Sequence, residues 1–302
     1  MICKEIINTE HPTHEELCGE LRKATHILHS THWNADIYTF KGDTCPRLLH
    51  EVAKLRIEAY RDIGISHLKG VDIDAADLDG TYNQLIVWDS DNNSIVGGYR
   101  YALCREVEPS KLSIAHYFNY TQRFLSEYMP HTMELGRSFI STQYQLRHNR
   151  KSIYTLDTLW QGIGAITCQH NIRHLLGRVT IYPTLDIRAQ LLILGFMHHS
   201  YRHTPQLLHP LHPIDIEMTE ESYAELFPST KSHDRYLMLI SLLRTMGHSL
   251  PPIISSYMRL SPSMHYFGSY INSDLGNTPE AAIMLSVADF YDDVKRRYLQ
   301  KK

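Results

Sequence analysis

The chain has 302 residues and a net charge of −3, with 43% hydrophobic and 21% charged residues. This composition is typical of a soluble globular protein and provides no overall basic field for nucleic-acid binding. No run of about 18 apolar residues exists that would span a membrane. The N-terminus also lacks the basic start and apolar run of a secretory signal. We therefore expect a cytoplasmic protein. Peripheral contact with the inner face of the membrane is left open as an alternative.

Neither the cysteines nor the histidines predict a metal site. The five cysteines are scattered and include no C-x-x-C pair, so we expect reduced thiols. Five of the 20 histidines fall within residues 198–212, where prolines interrupt the chain. No second group of Cys or His supplies the remaining ligands of a zinc site. We interpret this segment as a polar loop and expect no bound metal.

Hydrophobic periodicity predicts alternating strands and helices along the chain. Helical spacing of apolar residues predicts helices at residues 12–29, 46–62, 154–171, 184–198 and 234–246. Strand-like runs occur at residues 84–88, 94–104, 132–142, 174–182 and 281–287. An acidic loop, residues 71–80, precedes the first two strands, and a turn at 89–93 joins them into a β-hairpin.

This order of elements predicts an α/β layered fold. Its central sheet is expected to mix antiparallel and parallel pairs and to be flanked by helices. We expect an N-terminal extension at residues 1–45, a core at residues 46–200, and a helical C-terminal extension at residues 201–302 that packs on the core.

Three ordered segments resemble one enzyme family. They are residues 95–100 (I-V-G-G-Y-R), 133–138 (M-E-L-G-R-S) and 159–163 (L-W-Q-G-I), and residues 252–260 resemble the tail motif of the same family. The set resembles the acyl-carrier-protein-dependent N-acyltransferases that make lyso-ornithine lipids and glycine lipids in bacteria, some of them labelled hemolysin. The pair Glu134 and Arg137 is also similar to the E-x-x-R motif of acyl-homoserine-lactone synthases. Both families belong to the GNAT superfamily.

The resemblance implies an acylated carrier protein as donor, a small amino acid such as glycine or ornithine as acceptor, and no tightly bound cofactor. Three alternatives remain open: an acetyltransferase that uses acyl-coenzyme A, an enzyme like the acyl-homoserine-lactone synthases, and a non-catalytic binding protein. The chain departs from ornithine-lipid enzymes after Leu260, where an F-N-T-x-D stretch is missing. Residues 1–45 match no part of the family pattern.

Acylation of an amine by a thioester requires a base, a polarised carbonyl and correct positioning of both reactants. We select Glu134 as the base, because partial burial in an apolar strand would raise its pKa. The competing interpretation is a structural ion pair with Arg137 or Arg100. Residues three apart on a regular strand face opposite sides, so Glu134 and Arg137 share a site only if a β-bulge lies near Gly136.

Further candidates surround this pair. Arg100 follows two glycines in a strand and is a candidate to bind the carboxylate of the acceptor, although it is equally consistent with a solvated strand end. The resemblance implies substrate-binding roles for Arg56 and Asp79. Tyr144 is a candidate acid for the leaving thiolate, or else a packed wall residue.

A basic loop precedes the helix predicted at 154–171. Arg147, Arg150 and Lys151 lie there, and cations beside a helix N-terminus favour phosphate binding. The resemblance implies that the phosphate of phosphopantetheine, or the pyrophosphate of coenzyme A, binds at this loop. The alternative explanation is that these basic residues only keep the protein surface soluble. The Gly-rich segment at residues 161–166 falls inside the helix, and we therefore do not expect it to bind phosphate.

Overall fold

The computed structural model describes residues 12–66, 70–145 and 151–299. The helices are α1 (His14–Leu21), α2 (Pro46–Asp62), α3 (Ala75–Leu78), α4 (Ser152–Gln169), α5 (Ile187–Tyr201), α6 (Glu220–Leu226), α7 (Ser232–Thr245), α8 (Pro252–Leu260) and α9 (Asp292–Tyr298). The strands are β1 (Thr25–His29), β2 (Ala35–Lys41), β3 (Asn83–Asp89), β4 (Ser94–Leu103), β5 (Phe118–Tyr120), β6 (Thr132–Ile140), β7 (His174–Thr180), β8 (Leu208–Pro210), β9 (His265–Asn272) and β10 (Thr278–Ser286).

The chain forms two compact units whose segments interleave. The first unit takes in the residues up to Lys111, Met133–Ile172 and the residues from Lys295 onward. The second comprises Leu112–Thr132 and Arg173–Val294. This division differs from the expected order of N-terminal extension, core and C-terminal extension. Strands β1 and β2 and the last turn of α9 all belong to the first unit.

The first unit is built on antiparallel strands in the order β1, β2, β3, β4, β6. Helix α2 covers one face, where Leu48 and Val52 share a core cluster with Ile86 of β3. Leu85, the neighbouring strand residue, points to the opposite face and meets α4. A Cβ atom at Gly162 of α4 would lie 3.0 Å from the Leu85 side chain, so glycine allows close packing of helix on sheet.

The second unit contains the antiparallel strands β7, β10 and β9, and a separate pair, β5 with β8. Helix α5 packs against α6, α7 and β9. Phe196 of α5 is buried and contacts Phe227, with ring centroids 4.9 Å apart. Aromatic side chains therefore supply much of this core.

The α/β fold with helices flanking a sheet is confirmed, as are the β-hairpin of β3 and β4 and the helices at α2, α4, α5 and α7. The helix expected over residues 12–29 is wrong in its second half. It ends at Leu21, and residues 25–29 form β1. Pairing of β1 with β2 satisfies its backbone and overrides the weak helical periodicity. In the described part of the chain, no helix is long and apolar enough to cross a membrane.

Candidate active site

Strand β6 contains a β-bulge immediately after Gly136. Gly98 pairs with Phe139 on one side of it and Arg100 pairs with Gly136 on the other, so two residues of β6 oppose one residue of β4. Arg137, one of the two, has a φ angle of 48°, in the left-handed region that side chains other than glycine rarely adopt. The bulge expected near Gly136 is therefore confirmed.

Glu134 lies two residues before Gly136 and is only 2% exposed. The hydroxyl of Tyr82 donates a hydrogen bond to its Oε2 atom at 2.7 Å. The guanidinium carbon of Arg100 lies 4.3 Å from the centroid of the Tyr82 ring. Tyr82 therefore connects the buried carboxylate to the arginine that pairs with Gly136.

Three guanidinium groups and three carboxylates form one cluster in the first unit. Its members are Arg56, Arg100, Arg137, Asp72, Asp74 and Asp77. We call this set the arginine–aspartate cluster. The formal charges of its members cancel. Such a network tolerates burial because each charge faces opposite charges at hydrogen-bonding distance.

Asp77 is fully buried at the centre of this cluster. Its Oδ2 atom lies 2.9 Å from Nη1 of Arg137 and 3.4 Å from Nη2 of Arg56, while Oδ1 lies 3.3 Å from Nη1 of Arg100. Gln84 donates a further hydrogen bond to Oδ1 at 2.8 Å. Burial raises the pKa of Asp77, but the three guanidinium groups outweigh it and lower the value to about 2.

Arg137 is the most exposed guanidinium of the three, with 20% of its side chain exposed. Its Nη2 atom lies 2.7 Å from Asp74, and its Nη1 atom lies 3.0 Å from Asp72. These contacts, together with Asp77, hold the residue whose backbone is strained at the bulge. The arginine–aspartate cluster therefore stabilises the bulge through the side chain of Arg137.

A second polar network surrounds the start of α4. Lys151, in the N-terminal cap position of α4, lies 2.9 Å from a carboxylate oxygen of Asp89 and 2.9 Å from one of Asp91. Its ammonium group is also 5.0 Å from the centroid of the Trp33 ring. Burial raises the pKa of Asp89, but hydrogen bonds from Lys151 and Tyr144 outweigh it and keep the pKa below its usual range. The charge of Lys151 is thus balanced within the protein.

Comparison with known proteins identifies the family. Residues 55–155 match the model of the acetyltransferase (GNAT) domain. The chain is 33% identical over 294 residues to the glycine N(alpha)-acyltransferase of Phocaeicola vulgatus, an alignment that covers 95% of this chain and 90% of that protein. The protein of the same name from Bacteroides thetaiotaomicron is also 33% identical, with 95% and 87% coverage.

The chain belongs to the glycine N(alpha)-acyltransferase family. It is an N-acyltransferase of the GNAT superfamily, and the resemblance carried by its ordered motifs is confirmed. Among solved structures, the acyl-homoserine-lactone synthase LasI is similar, with 13% sequence identity and a TM-score of 0.43 over 89% of this chain and 95% of that chain.

The structure brings together four of the nine candidate residues of this acyltransferase. Arg56, Arg100 and Arg137 meet in the arginine–aspartate cluster, next to Glu134. All three guanidinium groups pair with aspartates of the cluster. Arg100 is neither a solvated strand end nor an open carboxylate-binding group, because its Nη1 atom lies 2.8 Å from Asp74 and 3.3 Å from Asp77.

Asp79 does not join the arginine–aspartate cluster. It is exposed, and its side chain accepts a hydrogen bond from the backbone of Thr81 at 2.9 Å. Asp79 lines a polar surface cavity of about 390 Å³ together with Lys41 and Tyr101. Tyr101 and Arg100 are adjacent in β4 and point to opposite faces of the sheet. Asp77, two residues earlier, is the aspartate that lies in the cluster, and a substrate-binding role for Asp79 stays a prediction.

Tyr144 lies in the network at α4, away from Glu134. It is buried, its hydroxyl donates a hydrogen bond to Asp89 at 2.8 Å, and burial raises its pKa. This geometry agrees with a packed wall residue, because the hydroxyl donates its proton to a carboxylate within the protein, and the role of catalytic acid stays a prediction.

The basic loop is only partly described. Arg147 and Arg150 lie outside the described residues, whereas Lys151 is paired with two aspartates. The prediction that residues 161–166 lie inside a helix is confirmed. Both glycines there serve packing: Gly162 faces the sheet, and a Cβ atom at Gly164 would lie 2.2 Å from the carbonyl oxygen of Tyr298.

Sequence reasoning missed Tyr82 and Gln84, which touch Glu134 and Asp77. It also did not distinguish Asp77 from the other acidic residues of the loop at 71–80. A local signal existed, because Asp74 and Asp77 form a reciprocal capping box around α3. That motif fixes the orientation of the loop and separates Asp77 from Asp79.

Proposed function

We propose that this enzyme transfers an acyl chain from a thioester to the amino group of glycine. The observation that carries the proposal is Glu134, a buried carboxylate held by Tyr82 three residues before Arg137, the first residue of the bulge in β6. The relatives named for glycine support the choice of acceptor. An acceptor as small as glycine also suits a site enclosed by tyrosine and arginine side chains.

The proposed reaction uses Glu134 as a proton shuttle. The neutral amine nitrogen attacks the thioester carbonyl carbon, and Glu134 takes the proton that the nitrogen loses. The carbon–nitrogen bond forms, the carbon–sulfur bond breaks, and Glu134 returns the proton to the leaving thiolate. A separate acid is not needed in this scheme, which is consistent with the position of Tyr144.

The bulge supplies the groups that polarise the thioester carbonyl and bind the acceptor carboxylate. Backbone N–H groups of Arg137 and Ser138 are proposed to polarise the carbonyl oxygen, because a bulge interrupts their regular pairing with the neighbouring strand. Arg56 and Arg100 act as positioning residues, since both hold the aspartates that fix Arg137. We assign the acceptor carboxylate to the exposed edge of Arg137.

The donor is proposed to be an acyl carrier protein, whose phosphopantetheine phosphate binds at the N-terminus of α4. The first backbone N–H groups of a helix have no partner within the helix, and they favour an anion. Arg147 and Arg150 precede this end of α4 in the sequence and remain candidate contacts. Ornithine as acceptor, acyl-coenzyme A as donor and a role in aminolipid synthesis are alternatives within the same chemistry.

The test is a reconstituted reaction followed by mass spectrometry. Purified enzyme is incubated with acyl carrier protein or coenzyme A carrying the same acyl chain, and with glycine or ornithine. We expect N-acylglycine as the main product. Glu134→Gln is expected to lower turnover by about 10²-fold without changing the melting temperature, because it removes the base but keeps the volume.

Glu106→Gln is the matched control, since Glu106 is 61% exposed and lies outside the site. Full turnover in Glu134→Gln would remove this residue from the mechanism. The absence of any N-acylated product from the wild-type enzyme with all four substrate pairs would refute the proposed function.

A further inference from the structure

The last turn of α9 presents three consecutive cations. They are Lys295, Arg296 and Arg297, and this turn belongs to the same compact unit as α4. Arg296 is exposed, and 53% of the Arg297 side chain is exposed. Within the described residues, neither Lys295 nor Arg296 has an ion-pair partner within 4.0 Å. Two positive charges on this turn are therefore not balanced by an ion pair.

This turn is attached firmly to α4. The Nε atom of Arg297 lies 2.6 Å from Oδ1 of Asp157, and Tyr298 donates a hydrogen bond to the same oxygen. The carbonyl of Tyr298 occupies the space that a side chain at Gly164 would fill. Cys168 donates a further hydrogen bond to the carbonyl of Leu299 at 3.3 Å. The cations therefore have a fixed position relative to α4.

Helix α4 itself carries almost no charge. Asp157 is the one charged residue in its 18-residue sequence. That carboxylate is 9% exposed and is engaged by Arg297 and by His32, whose Nε2 atom lies 3.0 Å away. The charge of Lys151 is balanced by Asp89 and Asp91. Lys295 and Arg296 therefore add positive charge beside the described part of α4 that no ion pair among the described residues balances.

We propose that the last turn of α9 is a docking surface for the acidic protein that delivers the acyl thioester. This inference rests on the proposed function, because it assumes that the phosphate of the donor binds at the start of α4. Asp157 lies five residues after Ser152, which corresponds to about 7.5 Å along the helix axis. A protein seated on Lys295 and Arg296 is thus close enough to insert its prosthetic arm at that end.

Opposite charge at such a surface accelerates encounter and makes it sensitive to salt. Asp292 and Asp293 lie on the first turn of the same helix, so the sign of the charge changes along α9. The C-terminal end of α9 is therefore the end that favours an acidic partner. This asymmetry favours one orientation of the acidic partner on the docking surface.

The experiment uses charge reversal at one exposed position of the full-length enzyme. Arg296→Glu is compared with Arg188→Glu, which makes the same charge change on α5 at a site that is 79% exposed. Each enzyme is assayed with glycine and two donors of the same acyl chain: an acyl carrier protein and the uncharged acyl-pantetheine thioester. The reaction with carrier protein is repeated across a salt series.

We expect Arg296→Glu to lower kcat/KM with the carrier protein by about 10-fold and to weaken its salt dependence. Its reaction with acyl-pantetheine, and both reactions of Arg188→Glu, should change by less than about two-fold. Equal losses with both donors would indicate damage to α4 and would overturn the proposal. Equal losses in both variants would indicate an effect of overall charge and would also overturn it.

The wild-type enzyme separates this inference from the proposed function. If it acylates glycine from acyl-pantetheine but not from the carrier protein, the docking surface is wrong while the transfer reaction stands. If it acylates glycine from neither donor, the proposed function fails first. If it uses the carrier protein and Arg296→Glu is unimpaired, the partner docks elsewhere and this proposal is refuted.

Discussion

Replacing Asp77 by asparagine tests whether the arginine–aspartate cluster is a stabilising network. The variant keeps the size of the side chain and its capping interaction, but it leaves three guanidinium groups facing two carboxylates. A pKa lowered from 3.8 to about 2 corresponds to about 2 kcal/mol of stability at pH 7. Because a buried cation is also left without its partner, we expect Asp77→Asn to lose about 2 to 4 kcal/mol.

The measurement is urea unfolding of the wild type and of Asp77→Asn between pH 7 and pH 3. The folded-state pKa of Asp77 is depressed, so its contribution is complete above its ordinary pKa and disappears as the pH falls toward 2. The stability difference between the two proteins should therefore be constant at neutral pH and shrink below about pH 4.

Asp79→Asn is the matched control, because Asp79 is an exposed aspartate in the same loop. It should change stability by less than about 0.5 kcal/mol. If Asp77→Asn is as stable as the wild type, or if the two aspartate variants behave alike, the guanidinium groups do not depend on Asp77 and the reasoning is refuted.

Three further predictions concern other parts of the molecule. Tyr82→Phe removes the hydrogen bond to the proposed base and should lower turnover by about 10-fold at unchanged melting temperature, as measured by steady-state assay and thermal unfolding; full activity would show that the hydroxyl is dispensable. Gly164→Ala should lower the melting temperature because its Cβ would lie 2.2 Å from a carbonyl oxygen, whereas Gly19→Ala, with nothing within 4 Å, should not. Burial and neighbouring positive charge lower the pKa of His174 and of His265 to about 4, so protonation favours the unfolded chain, and stability measured by urea unfolding should fall between about pH 6.5 and pH 4. A flat profile over that range would contradict the burial of these two histidines.

Local sequence patterns were sufficient for the central elements of this protein. Helices α2 and α4 and the hairpin of β3 and β4 follow from periodicity and turn residues that lie within each segment. The bulge in β6 was also predictable, because Glu134 and Arg137 cannot share a site on a regular strand. The family followed from the order and spacing of short motifs rather than from any one of them.

Other features depend on contacts between distant parts of the chain. Residues 25–29 carry a helix-like pattern, yet they form β1 because β2 offers a complete hydrogen-bonding edge. Lys151 looks like an available cation in the sequence, but Asp89 and Asp91, about 60 positions earlier, balance its charge. No local pattern contains that information, because an ion pair is defined by distance in space.

The sequence by itself identified an N-acyltransferase of the GNAT superfamily and placed Glu134 and Arg137 at a break in one strand. Only the tertiary structure decided which acidic residue of the loop at 71–80 lies at the centre of the arginine–aspartate cluster. Asp77 and Asp79 have the same side chain and nearly the same neighbours, but the capping box around α3 turns Asp77 toward three arginines and leaves Asp79 in solvent. Burial and pairing separate the two residues, and both are properties of the folded chain.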